Sequence, residues 1–158
     1  MKKINLILLF ICSVFTLLAQ KQLNNFEQIF NSLNSGKQIN VVFHYSKCQL
    51  ISDNQIKDKS PEAIGGFVID SYEYFAPNSV RNKNAFISFS KTILIQNPLS
   101  DEDEYVYNYV KVKVSDDNKV RIIARYLNSI TYKTIMDESF YTIINDGKND
   151  GAAFYYER

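Results

Sequence analysis

The sequence has little of what metal-dependent and nucleophilic enzymes use. Its 158 residues include no Trp, one His, two Cys, three Pro and five Gly. A single His excludes zinc sites built from several imidazoles, and a Ser-His-Asp or Cys-His enzyme would have to use His44. The net charge of +1 excludes a strongly basic nucleic-acid-binding surface. We therefore predict no cofactor and no nucleic-acid partner, and we rank a hydrolase third among the functions considered.

The N-terminal segment has the pattern of a secretory signal. Lys2 and Lys3 precede an apolar run from Ile4 to Leu18, and Ala19 follows before a polar stretch. This order of charge, apolar run and small residue is typical of a cleaved signal peptide, and the run is short for a membrane span, which needs about 20 residues. We predict a signal peptide over residues 1–19 and one domain over residues 20–158. The domain is expected to be secreted or periplasmic, without a stable membrane anchor after cleavage.

Cleavage would leave Cys48 as the single cysteine, so no disulfide could form within the mature chain. In an oxidising compartment such a cysteine is buried, reactive or paired with another chain. We predict a free or intermolecular thiol, which leaves a homodimer through Cys48 open. His44 is four residues away, about 13 Å in an extended strand. A Cys-His dyad would therefore require the chain to bend between the two residues.

Hydrophobic periodicity predicts one helix followed by strands. Apolar residues recur at spacings of three and four from Leu23 to Leu33, and Gly36 follows, as in an amphipathic helix with a glycine stop. From Gln38 the period becomes two, which indicates a half-buried strand. Residues 49–63 are polar and predict a loop. Further strands are predicted within residues 65–75, 85–95, 105–114, 120–127, 131–136, 140–144 and 152–156.

These elements predict an α+β fold that is mainly β. One N-terminal amphipathic helix would pack on an antiparallel meander sheet, or on a small barrel, of about seven strands. The clearest hairpin, formed by the predicted strands 105–114 and 120–127, carries an aromatic and basic stripe on one face, at Tyr105, Tyr107, Tyr109, Lys111 and Lys113. If exposed, these residues are candidates for a binding surface. The alternative is that the tyrosine rings cover the core while their hydroxyls reach water.

The segment before the C-terminus has partial EF-hand spacing. Asp146, Asp150, Gly151 and Glu157 match positions 1, 5, 6 and 12 of a calcium loop. Lys148 stands where a ligand oxygen is expected, and a strand rather than a helix precedes the segment. Asp146, Asp150 and Glu157 are therefore metal candidates, with a glycine-containing turn as the simpler interpretation.

Several segments, taken in order and spacing, resemble the VirK family of small secreted bacterial proteins with invertebrate relatives. They are residues 26–36, 46–48, 64–66, 85–90, 126–133 and 151–156. The resemblance implies a secreted domain of largely uncharacterised role, with no catalytic residues to transfer. Family members often carry a second cysteine near the last strands, where this chain has Tyr141 and Thr142, so a disulfide from Cys48 is not implied here.

Together these observations predict a secreted or periplasmic, non-enzymatic interaction domain. Its partner would be an unknown protein or a component of the envelope or host surface. The alternative is a carrier that holds a small apolar ligand in a barrel-like pocket, which aromatic and β-branched residues on both strand faces would suit.

Overall fold

The computed structural model describes residues 20–52 and 55–156, which form one α-helix and eleven strands. The predicted signal peptide and Glu157 lie outside these residues. The elements, in chain order, are β1 (Lys21–Leu23), α1 (Phe26–Asn34), β2 (Ile39–His44), β3 (Gln49–Ser52), β4 (Gln55–Ile56), β5 (Ile64–Ile69), β6 (Glu73–Phe75), β7 (Phe86–Gln96), β8 (Tyr105–Ser115), β9 (Lys119–Asn128), β10 (Thr134–Ile143) and β11 (Ala153–Tyr156).

Helix α1 begins and ends with local capping signals. The Asn25 side chain accepts a hydrogen bond from the Gln28 backbone N–H, which satisfies one of the free donors of the first turn. Gly36 follows the helix with a φ of +77°, a conformation that favours glycine. The helix buries Ile29 and Leu33. The predicted amphipathic helix is present, although Leu23 lies in strand β1 rather than in the helix.

Seven strands form the large sheet, in the order β4-β3-β10-β9-β8-β7-β6. Strands β7 to β10 follow one another as an antiparallel meander, as predicted. In the hairpin of β8 and β9, four side chains of β8 face inward and are buried: Val106, Val110, Val112 and Val114.

Four strands form the small sheet, in the order β1-β11-β2-β5, and all of its pairings are antiparallel. Its inward residues include Val41, Phe43 and Phe154, which are almost completely buried in the core shared with the large sheet. The fold class is therefore confirmed. In residues 20–52 and 55–156, however, the strands form two open sheets rather than one sheet or a closed barrel.

Several predicted boundaries need correction. The predicted loop over residues 49–63 contains β3 and β4, because only one side of this polar segment packs inward, at Leu50. The predicted strand 65–75 is divided into β5 and β6, which belong to different sheets. The strands predicted at 131–136 and 140–144 are one strand, β10, with a register shift near Thr134 and Met136. No helix among the described residues is long and apolar enough to cross a membrane.

Candidate functional site

A cleft of about 600 Å³ opens between the two sheets. The central strands of the large sheet are 10 or 11 residues long, whereas β2 and β5 of the small sheet have six residues each. The small sheet therefore covers only part of the facing surface, and this inter-sheet cleft occupies the remainder. Its volume lies within the range of ordinary small-molecule sites.

Two rows of register partners on strands β7 to β10 form the floor of the inter-sheet cleft. In strand order, the first row is Lys91, Val110, Ala124 and Glu138, and the second is Ile93, Asn108, Tyr126 and Met136. Each row crosses three inter-strand spacings, about 14 Å. The small Ala124 side chain gives the floor depth near its middle.

Strands β2 and β5 of the small sheet, with the turn after β2, form the roof of the inter-sheet cleft. Phe43 and Phe67 come from β2 and β5, and Tyr45 from a short 3₁₀ turn after β2. The Tyr45 ring lies 5.2 Å from the Phe43 ring and 4.5 Å from the Phe140 ring, measured between centroids. A Cβ atom on Gly65 would overlap with the Phe43 ring. Glycine at this position therefore lets the Phe43 ring lie against the β5 backbone.

Apolar side chains at the rim of the inter-sheet cleft are unusually exposed. Ile64 is 67% exposed, Leu99 63% and Ile93 48%. All three also line the cleft. Water therefore contacts apolar side chains near the mouth, and a bound apolar molecule that covered them would gain free energy.

The charged groups of the first floor row differ in their pairing. Lys91 forms an ion pair with Asp70, in the segment that connects the two sheets. Glu138 is at the opposite end of the row and has no ion pair within the described residues. Burial raises the pKa of the Glu138 carboxyl. Burial also raises the pKa of Tyr126, with a further contribution from the nearby Glu138 charge.

The predicted aromatic and basic stripe lies on the outer face of the large sheet, opposite the buried valines. Tyr105 is 55% exposed and Lys111 is exposed, while Tyr107, Tyr109 and Lys113 are half-buried by their neighbours on that face. The Tyr107 ring stacks on Tyr132 with centroids 5.8 Å apart. The structure thus brings the five predicted residues together on one face, away from the core.

Strand β9 adds two arginines to this outer face. Arg121 lies 5.5 Å from the Tyr141 ring centroid, and Arg125 is paired in register with Tyr109. The Nε atom of Arg125 is 3.0 Å from a carboxylate oxygen of Asp137. The face therefore carries a surplus of cations among partly exposed aromatic rings, an arrangement typical of contact surfaces.

The chain does bend between His44 and Cys48, but it does not form a side-chain dyad. The 3₁₀ turn brings the Cys48 thiol to the His44 backbone carbonyl, to which the thiol donates at 3.3 Å. Cys48 is 8% exposed, whereas His44 is exposed. Burial raises the pKa of the thiol, which lowers its reactivity as a nucleophile. A homodimer through Cys48 stays a prediction, and its formation would require the thiol to become accessible.

The candidate metal residues near the C-terminus make other contacts. One Asp146 carboxylate oxygen accepts hydrogen bonds from the Lys148 backbone N–H and the Asn149 side chain. The carboxylate of Asp150 lies 3.5 Å from the Lys47 ammonium. In the part of the chain that the structure describes, no three His, Cys, Asp or Glu residues are placed to hold a metal ion. Because Glu157 lies outside that part, calcium binding here remains untested.

The sequence pattern predicted an apolar pocket only as the interior of a barrel-like sheet, and it did not identify the residues of the inter-sheet cleft. The signal available was the alternation in β10, where Glu138 stands at an inward position between Met136 and Phe140. A carboxyl group on the apolar face of a strand is costly unless it has a partner. Strand β10 pairs with β9 on one side, which places Glu138 beside Ala124, and with β3 on the other. These pairings depend on long-range register, which the alternation of apolar and polar residues in the sequence does not indicate.

Comparisons with known proteins agree with the fold. A family model described as VirK protein matches residues 22–132. A crystal structure of a VirK family protein from Legionella pneumophila is similar, with a TM-score of 0.63 and 18% sequence identity. The similarity covers 84% of this chain and 97% of that one. No curated protein sequence matches the chain significantly.

Proposed function

This chain belongs to the VirK family, and from the geometry of its fold we propose that it binds a small, largely apolar ligand in the inter-sheet cleft. The observation that carries this proposal is the open volume of about 600 Å³ between sheets whose remaining interior is closely filled. A globular protein normally packs its interior to crystal-like density. An apolar cleft of this size with a few polar groups is the usual form of a ligand site.

The energetics support ligand binding without a metal or a covalent bond. Each methylene group transferred from water to the cleft contributes about 0.8 kcal/mol. A chain of roughly ten carbons would therefore contribute about 8 kcal/mol, and after an association cost of about 4 kcal/mol the remaining ~4 kcal/mol corresponds to an affinity near the millimolar range. The exposed apolar rim at Ile64 and Leu99 would gain further from a ligand that reaches the mouth.

The uncharged fluorescent probe N-phenyl-1-naphthylamine tests this proposal. We expect its emission to rise on binding the wild-type protein, and Ala124→Phe to weaken the binding at least about tenfold, because the new ring fills the floor of the cleft. The matched control is Ile123→Phe, which adds a ring on the same strand but on the outer face. Equal binding by both folded variants, or no binding by the wild type, would contradict the proposal.

The outer face supports a second proposal, in which the domain binds an acidic surface of another protein. The observation that favours it is the surplus of cations, Lys111, Lys113 and Arg121, among partly exposed aromatic rings. Opposite charge steers association and selects partners, and its effect falls with salt concentration. This proposal is compatible with ligand binding because the two surfaces lie on opposite faces of the large sheet.

Poly-glutamate at low salt is a suitable probe for the outer face. The double substitution Lys111→Glu and Lys113→Glu is expected to reduce binding about tenfold, since it reverses two charges on the contact surface. The control reverses two exposed lysines elsewhere, Lys59→Glu and Lys148→Glu, and keeps the same total charge. If both double variants lose affinity equally, the effect is net charge and the outer face has no special role.

We also propose that the domain acts after export, as a secreted or periplasmic protein. What supports this is the signal-like pattern of residues 1–19 in the sequence. The mass of the protein recovered outside the cytoplasm would identify the N-terminal residue directly.

A further inference from the structure

The two ends of the first floor row offer a ligand different electrostatic environments. At one end, the Lys91 charge is already compensated by Asp70. At the other end, Glu138 faces the inter-sheet cleft without a cation among the described residues. Between them, Val110 and Ala124 present only apolar atoms. The middle of the first floor row is therefore apolar, and the row ends at one carboxyl group that has no ion pair within the described residues.

The immediate surroundings of Glu138 are suited to a hydrogen-bond donor. Its neighbours on the same face of β10 are Met136 and Phe140, which supply no charge. The Tyr45 and Tyr126 side chains lie close enough to interact electrostatically with Glu138, and both line the cleft. Both phenols are uncharged at neutral pH, and burial raises their pKa values further. A half-buried carboxylate of this kind is stabilised most by a cation that donates hydrogen bonds.

From this arrangement we infer that the ligand of the inter-sheet cleft is an amphipathic amine. Its apolar body would lie across Val110 and Ala124, and its protonated amine would donate to the Glu138 carboxylate. An anionic head group would meet repulsion at Glu138, and at Lys91 it would have to compete with Asp70 for the ammonium. This inference rests on the proposed ligand-binding function and specifies the chemical class of the ligand.

Three compounds with the same apolar chain test the inference. Decylamine, decanol and decanoate compete for the cleft against N-phenyl-1-naphthylamine at neutral pH, the two charged compounds below their critical micelle concentrations and decanol below its solubility limit. We expect decylamine to displace the probe at a concentration about tenfold lower than decanol, because its ammonium adds a charge-assisted hydrogen bond to the carboxylate. Decanoate is expected to displace the probe no better than decanol.

Substitution of Glu138 separates this inference from the proposed function. Glu138→Gln should bring decylamine to the level of decanol, with each displacement corrected by that variant's own probe affinity, and Glu138→Asp should keep part of the preference for the amine. Glu73→Gln, on the outer face of β6, serves as the matched control and should retain the full preference. Equal displacement by amine and alcohol in the wild type, or an amine preference that survives Glu138→Gln, would overturn the inference and leave probe binding intact. Absence of probe binding would overturn the proposed function as well.

Discussion

Replacing Phe140 by alanine is expected to lower the free energy of unfolding by about 3–5 kcal/mol, the range for deletion of a buried aromatic ring. Phe140 is 1% exposed and belongs to the core shared by the two sheets. The centroid of its ring lies 4.5 Å from that of Tyr45, which belongs to the 3₁₀ turn after strand β2 of the small sheet. Loss of the ring therefore removes packing within the large sheet and across the interface between the sheets.

The adjacent residue provides the control for this prediction. Tyr141→Ala removes a ring of similar size from the same strand, but Tyr141 is 37% exposed on the outer face and contacts Arg121. We expect a loss of about 1 kcal/mol or less, the value of an exposed cation-aromatic contact. Urea unfolding measures both variants, and Phe140→Leu replaces the alanine variant if the latter does not fold. Equal losses for Phe140 and Tyr141 would show that the two sheets do not share a packed core.

Gly151→Ala is expected to cost about 3 kcal/mol, because its added methyl group would overlap with backbone. A Cβ atom there would meet the Ile143 carbonyl oxygen and lie 2.7 Å from the Asn149 side-chain oxygen. The same carbonyl accepts a hydrogen bond from the Ala152 backbone N–H at 2.9 Å. Relief of the overlap would therefore separate strand β10 from the start of β11.

A second glycine in the same turn is the matched control. Gly147 has a φ of +86° but open space around its missing Cβ, so Gly147→Ala should cost only about 1–2 kcal/mol for the left-handed conformation. Thermal or urea unfolding of the two variants gives the comparison. A larger loss at Gly147 than at Gly151 would contradict the close backbone approach. The expected result would also account for Gly151 by packing alone, without calcium.

Much of the fold could be predicted because its local signals are strong. The β8–β9 hairpin alternates valine with polar residues along its first strand, and the turn at Asn118 has a φ of +63° that asparagine tolerates. The helix has both an N-cap and a terminating glycine. By contrast, the local sequence does not predict β3, because this strand buries only one apolar residue, Leu50. Its strand conformation is stabilised by pairing with β10. The secondary structure of this segment is therefore determined by tertiary pairing and not by local strand propensity.

The outer face could be predicted from local sequence, whereas the inter-sheet cleft depends on long-range pairing of strands. Tyr105 to Lys113 share a face because a strand has a period of two, so one segment of sequence is sufficient to predict their alignment. The cleft joins residues from β2, β5 and four strands of the large sheet. Its existence depends on the division into two sheets, which occurs where Asp70 and the following residues carry the chain from one sheet to the other. Nothing in the local pattern of residues 65–75 indicates that change.

The pairing of β1 with β11 has a consequence for the order of folding. Lys21 lies opposite Tyr156, so this ladder joins segments from near the two ends of the described chain. The β7–β10 meander contains mainly local contacts and can form early, whereas contacts of high sequence separation require closure of a long loop and form slowly. Strand β2, the neighbour of β5, itself pairs with β11. A nascent chain can therefore pair β2 with β5 before β11 is available, but it completes the small sheet only when β11 joins β2 and β1.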